Sequence, residues 1–113
     1  IDFSGYDLYY YNDVPVKPTF QGGDMNSFSR WINGELVYPT DAIASHVGGK
    51  VTISFIIEPD GSVTNVKVRN CNFTSLGEEA MRVISMSPKW KAGENSKGEV
   101  VRVWQIVPII FQI

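Results

Sequence analysis

The sequence predicts an α+β domain of two layers: a three-stranded antiparallel sheet, made of a hairpin plus a C-terminal strand, with helices packed on one face. Three observations predict it. Residues 50–58 alternate, with Val51, Ile53, Phe55 and Ile57 on one side, and run through Pro59-Asp60-Gly61 into a second strand over 62–69. Apolar residues at helical spacing stand before and after this hairpin. A long β-rich segment, 99–113, then closes the chain and returns to the sheet.

Each element has a local cause. Residues 1–14 are dense in tyrosine and show no helical period; an extended arm, a linker remnant and an added strand all fit them. The domain itself is expected over 15–113. Pro15, Pro18 and Gly22-Gly23 keep the next stretch extended. Asp24 can cap the first amides of a helix over 25–34, whose stripe is Met25, Phe28, Trp31 and Ile32. Tyr38-Pro39 opens a short helix over 39–46, because proline presets the first helical turn, and Gly48-Gly49 ends it. In the hairpin turn Pro59 fixes φ and Gly61 supplies positive φ. Ser75 and Glu78 have the spacing of a capping box for a helix over 75–86, with Leu76, Ala80, Val83 and Ile84 as its apolar stripe and Pro88 as its stop. The last strand is apolar on both sides, because alternation fails there; the bland reading is that the domain's own helices and N-terminal arm cover both faces, and a binding edge is the favoured one. Pro108 has no amide to donate, which places it at a sheet edge or a bulge.

Composition narrows the function. The 113 residues suit one domain, and 43% apolar content with 12% aromatics suits a folded core. A net charge of −2 without a basic stripe argues against nucleic acid. No run of about 20 apolar residues could span a membrane, and the chain opens at Ile1 without a leader pattern. Any anchor or export signal is therefore expected upstream. Cys71 is the single cysteine and His46 the single histidine, too few for a metal site or a Ser-His-Asp arrangement. No glycine-rich phosphate loop is present. Glu78 and Glu79 are adjacent, point apart on a helix, and suit its N-terminal dipole rather than a carboxylate pair. No catalytic residue, metal or cofactor is expected. Trp31 falls on a core stripe, Trp90 is expected to cover the sheet end or pack on the last helix, and Trp104 faces away from Val101 and Val103.

Taken in order, several short motifs resemble the TonB C-terminal domain family, in its Bacteroidetes-type form. They are Pro18-Thr19-Phe20-Gln21-Gly22-Gly23, Tyr38-Pro39, Gly49-x-Val51, Asp60-Gly61, Glu79-Ala80, Pro88-x-Trp90-x-Ala92-Gly93 and Pro108-Ile109-x-Phe111. The resemblance covers about 15–113, and Ala92 stands where many relatives carry proline. It implies a non-enzymatic energy transducer of the periplasm, anchored to the inner membrane by an N-terminal helix and partnered by an ExbB/ExbD-like motor. Its domain would bind the TonB box of outer-membrane transporters for siderophores, cobalamin or glycans. By position it implies a peptide site on Val100, Val101, Arg102, Val103, Trp104, Gln105 and Ile106, helped by Gly34, Glu35, Leu36 and Val37.

The residues support strand addition independently. A long apolar edge strand is an aggregation risk unless it is used, and its unpaired amides and carbonyls can be completed by a visiting chain. Val100, Arg102, Trp104 and Ile106 share one face, where Arg102 could meet an acidic residue; Val101, Val103 and Gln105 share the other. The mechanism requires this rim to be open. Two alternatives stand beside it: an interaction module of a membrane-bound sensor, peptidase or lipoprotein, and a homodimer paired through the same edge.

Overall fold

The computed structural model describes every residue from Ile1 to Ile113. In chain order its elements are β1 (Leu8–Tyr10), α1 (Met25–Glu35), α2 (Thr40–Ala44), β2 (Gly49–Ile57), β3 (Val63–Asn70), α3 (Thr74–Ser85), β4 (Gly93–Glu94) and β5 (Val100–Phe111). Strands pair in the order β1-β5-β2-β3, and β4 pairs with β5 as well. The α+β class is as the sequence predicts, but the sheet has five strands and is mixed. β5 runs antiparallel to β2 from Gly49↔Phe111 to Ile57↔Val103, whereas β1 lies parallel to β5.

One main core sits between the sheet and the helices. Its centre is aromatic: Phe28 of α1 lies 4.8 Å from Trp90, 5.0 Å from Phe20 and 5.8 Å from Phe55, ring centre to ring centre. These contacts bring together the lead-in to α1, α1 itself, β2 and the loop after α3. Trp90 is thus a core residue, and its indole donates to Ser87 Oγ at 3.1 Å. Trp31 stacks on Phe28 with the ring planes 8° apart.

Helix α1 starts as its sequence dictates, with the Asp24 carboxylate accepting from the amides of Asn26 and Ser27. The start of α3 differs from expectation. The residue before it is Phe73, which offers no side-chain cap, and Ser75 lies one position inside the helix with its Oγ buried and unpartnered. The capping box does not form, because the helix begins two residues earlier than its spacing requires. The hairpin turn is held more firmly. Gly61 has φ +86°, and a Cβ there would sit 2.0 Å from the Trp90 carbonyl oxygen, so only glycine fits. Trp90 N–H donates to the Gly61 carbonyl at 2.8 Å.

In β5, Val101, Val103, Gln105, Val107, Ile109 and Phe111 are buried, while Val100, Ile106 and Ile110 are exposed. The sequence is apolar on both faces, yet the helices cover only one, and the opposite face of the strand stays open. Truncating Phe28 to alanine removes the ring on which the aromatic core converges. Phe28→Ala is expected to lower the unfolding free energy by about 3–5 kcal/mol in urea denaturation. A loss below about 1 kcal/mol would mean that the cluster is not the keystone described.

Candidate functional site

A strand presents its main-chain groups alternately to its two neighbours. In β5, the Arg102 N–H donates to the Asp7 carbonyl at 2.9 Å, and the Trp104 carbonyl accepts from Tyr11 N–H at 3.0 Å. Even-numbered residues of β5 therefore face the outer edge, and odd-numbered ones face β2 and β4. The outer edge is taken by β1 in the register Leu8↔Arg102, Tyr9↔Val103, Tyr10↔Trp104. The expectation of an open rim along 100–106 does not hold: residues 7–11 of the same molecule close its centre.

The arm reaches this position because it is anchored behind. Val14 is 2% exposed and forms a small second core with Val101 and Val103, against which Tyr9 and Tyr11 pack. Val16 then bridges Glu94 and Thr19 bridges Lys91. Tyrosine-rich composition without a period could not disclose this, since a three-residue strand carries too little pattern to read.

The rest of the outer edge is blunted. The Ile106 N–H is capped by Gln105 Oε1 at 2.8 Å, and Pro108 has no N–H. Only the stretch occupied by β1 thus has a full set of donors and acceptors for strand pairing.

Side chains on the open face are also partly committed. Arg102 gives two bonds to Glu58, Nε to Oε1 at 2.7 Å and Nη2 to Oε2 at 2.9 Å, and Glu58 also accepts from Thr64 Oγ1. The Glu58 side chain is 2% exposed and that of Arg102 18%. Arg102, expected to meet an acidic residue of a partner, is therefore already neutralised, and removing it would leave a buried carboxylate alone. Trp104 remains available: it meets Tyr10 edge-on at 5.4 Å and has the Arg69 guanidinium 6.0 Å from its ring centre.

The segment Gly34, Glu35, Leu36 and Val37 does not join this edge. Val37 N–H donates to Glu79 Oε2 at 2.7 Å, and Arg82 Nη2 donates to the Glu35 carbonyl at 3.3 Å, which bind the segment to α3. The neighbouring Tyr38 packs edge-on against Phe111. Phe111 is eight residues from Val103, roughly 26 Å along an extended strand. The two expected halves of the site are therefore separate surfaces. The hydrogen bonds from Arg82 and Val37 hold the Glu79 carboxyl below its ordinary value. Sequence reasoning placed Glu79 at a helix dipole and missed this clasp: the i,i+3 spacing to Arg82 could have shown the ion pair, but no local spacing encodes the Val37 contact.

No three His, Cys, Asp or Glu side chains gather at metal-ligand spacing. His46 caps the end of α2 with φ +51°, and Cys71 packs half-buried beside the main core. No helix is long and apolar enough to cross a membrane.

A family model described as the Gram-negative bacterial TonB protein C-terminal matches residues 34–113. This chain belongs to that family. Solved TonB C-terminal domains share its fold. A Helicobacter pylori domain aligns over 79% of each chain with 28% identity and a TM-score of 0.60. A shorter Helicobacter pylori form, also 28% identical, aligns over 78% of this chain and 91% of that one with a TM-score of 0.57. A Pseudomonas aeruginosa domain aligns over 97% of this chain and 96% of its own at 22% identity, with a TM-score of 0.59, which speaks for the fold alone. No curated protein matches in sequence. The family match begins after β1 and within α1, so the strand that closes the edge lies outside the matched TonB C-terminal segment.

Arg102→Met is expected to destabilise the fold by about 3–5 kcal/mol by stranding Glu58. Adding Glu58→Met should recover much of that loss in a double-mutant cycle, and a neutral single variant would contradict the buried pairing. Glu79 makes stability depend on pH. Its native pKa is depressed, so its stabilisation is fully present above the ordinary value of 4.5 and fades as pH falls through the lower native value. In Glu79→Gln the urea midpoint should lose that part of its acid dependence; an unchanged profile would exclude the clasp.

Proposed function

We propose that this chain is the docking domain of a TonB-like energy transducer. It captures the TonB box of an outer-membrane transporter by strand addition along the outer edge of β5. It then passes on force from an ExbB/ExbD-like, proton-driven motor so that the transporter admits a nutrient such as a siderophore or vitamin. The domain works in the periplasm, as part of a longer protein anchored in the inner membrane. It makes no covalent change in its partner.

The observation that carries this reading is the pairing of β5 with a parallel extended segment, in a chain of the TonB C-terminal family. Arg102 and Trp104 supply the main-chain rim, Trp104 adds an aromatic surface beside it, and Val101 and Val103 line the inner side. Ile106 flanks this stretch with its amide capped by Gln105 Oε1. Main-chain bonding tolerates varied partner sequences, because every residue but proline brings the same donor and acceptor. Bonds spread along a strand also share a shearing load, which suits force transmission.

A synthetic TonB-box peptide titrated into the isotopically labelled chain is expected to shift the backbone amides of Arg102, Trp104 and their β1 neighbours. Trp104→Pro, which removes a rim donor, should abolish the response while the β2–β3 hairpin keeps its native spectrum. Proline at Val101 or Val103 would not serve, since those amides face β4 and β2. Shifts confined to α1, α2 or α3 would place the site elsewhere and end this assignment.

A further inference from the structure

We propose that residues 7–11 are a resident stand-in for the partner strand, so that the chain keeps its own docking edge closed and a partner binds by displacing the arm. This rests on the strand-addition reading above and adds its regulation. β1 holds the only stretch of the outer edge that offers regular pairing, since Gln105 and Pro108 blunt the edge beyond Trp104. A visiting strand and the arm therefore compete for the same donors and acceptors on Arg102 and Trp104.

The arm is attached in a way that suits release. Leu8 and Tyr10, its outward-facing residues, are 51% and 62% exposed, so few apolar contacts oppose departure. Only Tyr9 and Tyr11 pack inward, and both are half-buried. Immediately behind, the Tyr10 carbonyl accepts from the amides of Asp13 and Val14, at 2.9 and 3.1 Å, and Val14 is locked into its small core. The turn at Tyr10–Val14 is thus a hinge with a fixed far side. Residues 1–11 can leave without disturbing Val16, Thr19 or the aromatic core.

The arm also describes its competitor. A displacing segment must run parallel to β5 and place a large side chain where Tyr9 meets Val14, Val101 and Val103. Its flanking residues face Arg102 and Trp104, as Leu8 and Tyr10 do. An arm closed for 90–99% of the time weakens apparent affinity by about 10- to 100-fold, because only the open fraction binds.

The test opens the arm within the intact chain. Asp7 and Tyr11 turn their main-chain groups to β5, so by alternation Tyr9 does too, and Tyr9→Pro removes a donor from the arm while leaving β5 untouched. Calorimetric titration with a TonB-box peptide is expected to show binding at least tenfold tighter to Tyr9→Pro than to the parent chain. A peptide of residues 1–12 added in trans should compete. A chain lacking residues 1–10 supplies a second open form if the proline variant loses its native spectrum. Equal affinity for open and closed forms, with amide shifts still at Arg102 and Trp104, would overturn the gate and leave the docking reading intact. No TonB-box binding to either open form, with the 1–12 peptide still bound at the edge, would overturn the docking reading, and the competitive gate with it.

Discussion

A twelve-residue strand carries hydrogen-bonding groups along two edges, and the rest of this molecule is organised by how those of β5 are satisfied. The inner edge is simple: β2 covers most of it in regular antiparallel register, and β4 completes it near Val100 and Val101. The outer edge has no single long neighbour. It is closed piecewise, by β1 at Arg102–Trp104, by a side-chain oxygen at Ile106 and by the missing amide of Pro108. Unprotected, such an edge would be a template for indiscriminate pairing.

These closures differ in kind. Gln105 and Pro108 belong to β5 and cannot be taken away without changing it. β1 belongs to a flanking arm that is tied down at Val14 and largely exposed beyond it. In the proposed gate, a displaceable cover over the one regular stretch of the edge would make that stretch a selective acceptor, because a visitor would have to match the arm's register before gaining any bonds. Beside it, the Arg102–Glu58 pair fixes the end of the sheet where the hairpin turn, the Trp90 loop and β5 meet. The strand proposed to dock a partner is thereby joined to the aromatic core, an arrangement that suits a force-bearing element.

Much of the fold was legible along the chain. The alternation of 50–58 and the turn at Pro59-Asp60-Gly61 predicted the hairpin, and helical stripes with Asp24 and Pro88 placed α1 and α3 within a residue or two. These features are local, so neighbouring residues encode them. The functional region was legible only in part. Pro108 and the length of β5 led to the expectation of an edge strand, but β1 takes the outer place and puts β5 inside the sheet. That the edge is occupied, that Arg102 is spent on Glu58, and that Val37 is held by Glu79 depend on residues 42 to 95 positions apart. No periodicity carries such information.

By itself, the sequence determined the three helices, the β2–β3 hairpin, the closing strand and the family likeness, since each rests on residue type at short spacing. Only the tertiary structure decided the fate of β5. Its even-numbered positions are as apolar as its odd ones, and nothing in their order states which face the helices take. Equally, the tyrosines of the arm bear no mark of their destination until Val14 finds Val101 and Val103. The reason is physical: a strand's edge is defined by what lies beside it, and the neighbour of β5 comes from the opposite end of the chain.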